Sequence, residues 1–253
     1  MNRSDEFWEL AIAVNAAVKG LLGSLGESGH ICARVEAPEQ WLRLDDGWPA
    51  TRSAVVDGVA DHLQDGDVVV VADKILAVSL GRLTDRSVLL TPDPKTIPVQ
   101  ERRELAAALE QRLGMPVSDL HLLIADEHAD DQASLGTDEP NARAAELAAA
   151  VRERTGFAVD VVISDTDTGL DVRWPLIGTL TIGATPIGAT AGLNLYEAMR
   201  CAVAAEFARG HRRGIPAVVC KPADRRRRRD LTGLARDYPG FLHIDREGGL
   251  THA

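Results

Sequence analysis

The sequence predicts a mixed α/β fold of the α+β kind, and three observations carry that prediction. Apolar, β-branched stretches occur at Val68 to Val71, Val159 to Ile163 and Ile215 to Cys220, the pattern of strands, and the unbroken first run is that of a strand covered on both faces. Alanine- and leucine-rich stretches at helical spacing alternate with them. Ile177 to Leu193 mixes Gly, Thr, Ala and Ile, too glycine-rich for a helix and suited to close-packed strands and turns.

Taken in order, Phe7 to Leu25 has the spacing of an amphipathic helix, closed by Gly26 and Gly29. His30 to Val35 fits a strand. A helix is expected from Thr51 to about Leu63, stopping at Gln64-Asp65-Gly66-Asp67, and the Val68 to Ala72 strand follows. Beyond Gly81-Arg82 lies a proline-containing loop, then a helix from Val99 to Leu113. Leu120 to Ile124 reads as a short strand running into the acidic loop Asp126 to Asp131. Pro140 opens a helix that Gly156 ends. The strand ending at Asp165, a helix from Leu195 to Gly210 and the Ile215 to Cys220 strand complete the pattern.

Composition narrows the function classes. The 253 residues carry a net charge of −10, which argues against general binding to nucleic acid or an anionic membrane. Cys32, Cys201 and Cys220 are widely spaced, give no zinc or disulfide framework and suggest a reducing compartment. The apolar stretch after Met1 is too short and interrupted for a signal peptide or membrane span, so a cytoplasmic location is expected. There is no Gly-x-x-x-x-Gly-Lys-Ser/Thr loop, no Gly-x-Gly-x-x-Gly after a strand and no Gly-x-Ser-x-Gly elbow at Ser164.

The chemistry-bearing residues sit at strand ends. Val159 to Ile163 stops abruptly in Ser164-Asp165-Thr166-Asp167-Thr168-Gly169. Adjacent carboxylates and hydroxyls are hard oxygen donors suited to Mg²⁺ or Mn²⁺, although Asp165 and Thr166 equally suit an Asx or Ser/Thr turn. Asp73 follows the Val68 to Val71 run, and Asp126 to Asp131 follow Leu120 to Ile124. If those strands share a sheet, the carboxylates converge at one edge and need a cation between them. His128 reads as a metal ligand or, more plainly, an exposed loop residue. Lys74 and Lys221, each near a strand end, are either phosphate partners or surface lysines. Arg225 to Arg229 is a run of five arginines without interleaved aromatics, which favours a solvated stretch over a phosphate or RNA site.

Four segments in order resemble the coenzyme F-420 γ-glutamyl ligases. They are Leu63 to Ile75 with Gly81-Arg82; Thr155 to Thr166; Thr181-Ile182-Gly183-Ala184; and Leu195 to Val219, including Val203 to Ala208 and Gly214 to Val219. The resemblance covers roughly residues 50 to 222. It implies a fold of two subdomains forming an intertwined homodimer, and a GTP-dependent amide ligase. Such an enzyme activates a carboxylate of a deazaflavin precursor as an acyl phosphate, which the amine of L-glutamate displaces. Two divalent metals, Mg²⁺ or Mn²⁺, would offset the phosphate charge. The family's metal-binding pair falls on Asp165 and Thr166, and its upstream metal aspartate on Asp130 or Asp131. Asp165 and Arg173 are the catalytic candidates, and Asp73, Lys74, Arg82 and Glu206 the candidates for holding the nucleotide.

The resemblance divides the chain into a helical extension (1–35), a ligase-like core (36–222) and an arginine-rich tail (223–253). Two departures stand out. Where the family carries a lysine and a glutamate lining the nucleotide site, this chain has Val78 and Leu80. After Asp165-Thr166 the sequence is longer and more acidic than the family's, with Arg173 and Trp174 further on. A same-fold amide ligase of another pathway, or a non-catalytic ligand-binding descendant, are the alternatives those departures raise.

Overall fold

Consecutive valines leave strand β2 (Val68–Ala72) no polar side chain to turn toward water, so both of its faces must be covered. The computed structural model describes residues 30–35, 46–89, 93–128, 131–166, 170–174, 178–182, 184–193, 195–209, 215–222, 241–244 and 250–252. In chain order its elements are β1 (His30–Val35), α1 (Gly47–Ala60), β2, α2 (Asp73–Ser79), β3 (Leu83–Asp85), α3 (Val99–Leu113), α4 (Asp119–Leu123), β4 (Asp126–Glu127), β5 (Gln132–Ser134) and α5 (Pro140–Thr155). There follow β6 (Asp160–Asp165), β7 (Leu170–Trp174), β8 (Gly178–Ile182), β9 (Thr185–Ala189), α6 (Leu195–Arg209), β10 (Ala217–Pro222), β11 (Phe241–Ile244) and β12 (Leu250–His252). The fold is therefore mixed α+β.

A seven-stranded sheet runs in the order β12-β11-β1-β10-β2-β6-β9. Strands β2 and β6 pair in parallel, and the remaining neighbours are antiparallel. Strand alternation sends Val69, Val71, Val161, Ile163 and Val219 to one face, beneath Val55, Val56 and Val59 of α1 and Ala144, Leu147 and Val151 of α5. Val68, Val70, Val162, Val218 and Cys220 turn to the other face, beneath α6. Each fully buried valine contributes on the order of 1.5–3 kcal/mol. A second, smaller core lies in the long connection between β2 and β6. There Ala106 and Leu109 of α3, Leu122 of α4, Val88 and Leu135 pack beside the three-stranded sheet β3-β5-β4. Among the described residues no helix is long and apolar enough to cross a membrane.

Helices α3 and α5 and strands β2 and β6 lie where the sequence places them, within a few residues. Three segments differ. Leu120 to Ile124 is not a strand: Ser118 caps α4, its hydroxyl accepting the His121 N–H while the His121 ring accepts the Ser118 N–H. A short apolar run carries too little periodicity to separate strand from helix, and the cap decides. Asp73 to Ser79, to which the sequence assigns no element, is the helix α2. Helix α1 begins at Gly47, before Thr51, because Pro49 is tolerated in a first turn and buried Trp48 donates its indole N–H to Glu146 Oε2 of α5 at 2.6 Å.

Strand β1 lies inside the main sheet, between β10 and β11, so residues 30–35 and the 241–252 strands complete the sheet of the central segment. The Phe7 to Leu25 helix, the Arg225 to Arg229 run and Asp130 lie outside the described residues.

Lys221 is neither a phosphate partner nor a surface lysine. Its side chain and that of Asp67 both have 0% exposure, and they form an ion pair at 2.6 Å. Lys221 Nζ also donates to the His62 carbonyl at 2.8 Å, and Asp67 Oδ2 accepts the Gln64 N–H at 2.8 Å. The pair fastens β10 to the turn entering β2, at the end of β2 away from Asp73. Burial pulls the Lys221 ammonium down to about 8. Replacing one member of such a pair strands a buried charge. Lys221→Met is therefore expected to lower the urea-unfolding free energy at neutral pH by roughly 3–5 kcal/mol, and adding Asp67→Leu to recover much of it. A loss no larger than that of an exposed lysine, such as Lys95→Met, would refute the buried pair.

Candidate functional site

The two central strands deliver their carboxylates to the same place. Strands β2 and β6 run in parallel register, Val71 opposite Ile163 and Ala72 opposite Ser164. The next residues, Asp73 and Asp165, therefore emerge side by side at the C-terminal edge of the sheet, where open α/β sheets collect ligands. Both are buried, at 5% and 6% exposure. Asp73 Oδ1 accepts the Thr137 N–H at 3.0 Å, and the Thr137 hydroxyl donates to the Asp73 carbonyl at 3.3 Å. Burial pushes the Asp73 carboxyl up to about 6; the Thr137 hydrogen bonds oppose the rise, neighbouring Asp165 adds to it and Arg82 opposes it.

Arg82 is buried, and its Nε and Nη2 donors are committed to the protein. Nε donates to the Gly136 carbonyl at 2.5 Å, and Nη2 to the Pro116 carbonyl at 2.8 Å and to His121 Nδ1 at 3.2 Å. Since the Ser118 N–H also points at His121 Nδ1, at 3.0 Å, that nitrogen is an acceptor and the ring proton sits on Nε2. Burial and the Arg82 charge both hold His121 below its usual range. Arg82 is thus a positioning residue: it clamps the 135–138 loop that brings Thr137 to Asp73. Gly136 is required there, since a Cβ would run into the Ile124 side chain.

Lys74 lies at the same edge, half-buried, with Nζ 2.5 Å from Asp126 Oδ2 and from the Glu127 carbonyl. Asp126 of the 126–131 loop thus reaches the strand-end lysine. Asp131 is exposed on the turn between β4 and β5, in the left-handed region at φ 57°, and its carbonyl accepts the Arg86 N–H. Thr166 follows Asp165 at a bend and is half-buried. Arg173 is on β7; its side chain is outside the described residues. Glu206 is on α6, 3.6 Å from Arg209, and Arg209 Nε donates to the Ile215 carbonyl at 3.3 Å. Because the Pro216 carbonyl accepts the Ala72 N–H, this pair lies at the C-terminal edge of β2, on the α6 face.

Three contributors escape a sequence reading. Thr137 orients Asp73, and half-buried Asp138 acts electrostatically on Arg82. Arg209 brings a buried cation to the edge. The one local signal for Thr137 and Asp138 is the polar Thr137-Asp138-Glu139-Pro140 helix entry. Val78 is buried and Leu80 packs against the larger core, so neither position lines the edge. Among the described residues no cluster of three or more His, Cys, Asp or Glu side chains is arranged to hold a metal ion. Asp73, Asp165 and Thr166 are nevertheless all hard oxygen donors, a set that fits Mg²⁺ or Mn²⁺ and not a soft metal. No protein-family model matches the chain.

The raised Asp73 carboxyl makes a pH-dependent prediction. Between about pH 4 and 6 the folded protein holds a proton that the unfolded chain has released, so stability falls as pH rises through that window. Above it the cost reaches about 2–3 kcal/mol. In EDTA, Asp73→Asn is expected to be more stable than wild type at pH 7.5, with the gain disappearing by pH 4. Equal unfolding free energies for the two proteins at pH 7.5 would show that Asp73 titrates normally.

Proposed function

We propose that this protein is a metal- and nucleotide-dependent amide ligase, one that uses GTP to join L-glutamate to a precursor of coenzyme F-420. The single observation that carries the reading is the in-register parallel pairing of β2 and β6, which sets Asp73 and Asp165 side by side at a buried sheet edge. Two adjacent buried carboxylates repel one another, and a divalent cation relieves that repulsion. The resemblance of the strand-end segments to the F-420 γ-glutamyl ligases supplies the reaction class.

In this reading Asp73, Asp165 and Thr166 hold Mg²⁺ or Mn²⁺, which when bound offsets the charge of the nucleotide phosphates. The substrate carboxylate attacks the γ-phosphorus, GDP departs, and the glutamate amine then displaces phosphate from the acyl carbon. Thr137 fixes the orientation of Asp73, and Arg82 fixes Thr137 by clamping its loop. The Lys74 ammonium, held by Asp126, and Arg173 are assigned to the phosphates and to the acyl or glutamate carboxylate. The low exposure of Asp73 and Asp165 limits water at the edge, which protects an acyl phosphate from hydrolysis. The working unit is taken to be a homodimer in the cytoplasm.

Purified protein is expected to bind GTP or GDP in calorimetry with Mn²⁺ or Mg²⁺ present and not in EDTA. Asp165→Ala should weaken that binding by about a hundredfold or more, comparable to losing a charge-paired contact worth about 3 kcal/mol. Nucleotide binding of equal strength in EDTA would eliminate the reading. A second reading is favoured by one observation: Val78 and Leu80, where the family carries a lysine and a glutamate, are packed against the protein interior. It keeps the amide-forming chemistry and changes the acceptor, and a panel of carboxylates and amines distinguishes the two. Efficient γ-glutamyl product from the deazaflavin precursor removes the second.

A further inference from the structure

One imidazole nitrogen, Nδ1 of half-buried His121, joins the elements that hold the Asp73 carboxylate in place. It accepts from the Arg82 guanidinium at 3.2 Å and from the Ser118 N–H at 3.0 Å. The His121 N–H returns to the Ser118 hydroxyl at 3.4 Å, and the His121 carbonyl accepts the Gly136 N–H at 3.4 Å. Gly136 lies against the ring, where a Cβ would stand 3.4 Å from His121 Cδ2. Arg82 closes the circuit: Nε donates to the Gly136 carbonyl, and the Arg82 carbonyl accepts the Leu135 N–H at 2.8 Å. The next residue, Thr137, donates its N–H to Asp73. His121 therefore acts on Asp73 through Arg82 and residues 135–137.

Neither a guanidinium nor a backbone N–H can accept a hydrogen bond, so both partners of Nδ1 require it to be an acceptor. The neutral ring, with its proton on Nε2, meets that requirement. An imidazolium donates at both nitrogens, so it satisfies neither partner and sets a like charge beside Arg82. The charged groups around the ring come from three directions. Arg82 reaches it from the turn after α2 and Asp138 from the loop before α5, while on α4 itself Asp119 lies 3.7 Å from Arg103 of α3. Burial lowers the His121 pKa and Arg82 lowers it further, against the opposing pull of Asp138 and of a hydrogen bond to the Thr137 backbone. The ring is therefore neutral near pH 7 and gains its proton only on the acid side of 6.5. We propose that His121 is a positioning residue that works as a proton-operated latch: neutral, it holds the 135–138 loop against Asp73, and protonated, it releases Arg82 and frees Thr137 from the carboxylate. The latch rests on the hydrogen bonds around His121 and not on the ligase reading. Where that reading also holds, the latch makes cation binding at the edge fail in acid.

The test is amide hydrogen exchange by NMR on the full chain, read at the Thr137 N–H and corrected at each pH for the intrinsic exchange rate. Asp73→Asn is the parent, since its carboxamide oxygen still accepts the Thr137 N–H while the titration of Asp73 itself is removed. The Val70 N–H, at the centre of the large sheet, reports global unfolding. Between pH 7.5 and 4.5 the parent is expected to lose about tenfold or more of its protection at Thr137, with Val70 unchanged. Adding His121→Asn, whose carboxamide oxygen replaces Nδ1 as acceptor and does not titrate, should hold Thr137 within about twofold across that range. Adding His121→Leu, which removes the acceptor, should leave Thr137 weakly protected at both pH values. Equal protection of the parent at the two pH values, an equal fall with His121→Asn, or a parallel fall at Val70 would each overturn the latch. Manganese-dependent GTP binding by wild type at pH 7.5 reports separately on the ligase reading, so either can fail while the other stands.

Discussion

The candidate site depends on one geometric constraint, the parallel register that sets Ala72 opposite Ser164. In an antiparallel pair the ends of these two strands would lie at opposite edges of the sheet, and Asp73 and Asp165 would be a strand length apart. Parallel pairing requires a long crossover connection, and the chain uses that connection fully. It holds α2 to α5 and the β3-β5-β4 sheet, so the smaller core is a consequence of the parallel pair. The loop that leaves this smaller core on the way to α5 returns Thr137 to Asp73.

Electrostatics divide the molecule into two ends. At the entry to β2 a buried acid and a buried base neutralise each other, Asp67 with Lys221, and that end is closed. At the exit from β2 two buried acids stand together, and Thr137 with the Arg82 charge offset their repulsion only in part. The same strand thus carries a buried acid–base pair at one end and two neighbouring buried acids at the other. Neighbouring buried acids are costly to a fold, and such arrangements concentrate at functional sites.

Much of this was legible in the sequence because it is local. The β2 and β6 strands, the α3 helix and the Pro140 helix entry follow from apolar runs, helical spacing and punctuating residues, all read within a dozen positions. The placement of Asp73 and Asp165 at strand ends was legible for the same reason. The helix at Asp119–Leu123 was not, because its apolar run is too short to show a period and Ser118 and His121 decide its state together. Arg82 was legible as a charged residue near the first strand, but a guanidinium facing a phosphate and one clamping two loop carbonyls share one sequence pattern.

By itself, then, the sequence determined the longer strands and helices, and that carboxylates terminate the two central strands. Tertiary structure decided which strands are neighbours, that β2 and β6 are parallel, that β1 enters the sheet between β10 and β11, and that Lys221 is buried against Asp67 while Lys74 meets Asp126. The physical reason is range. Secondary structure is fixed by the periodicity of side chains along one segment. The environment of a charge is fixed by residues far away in the chain, brought beside it when apolar faces are buried together.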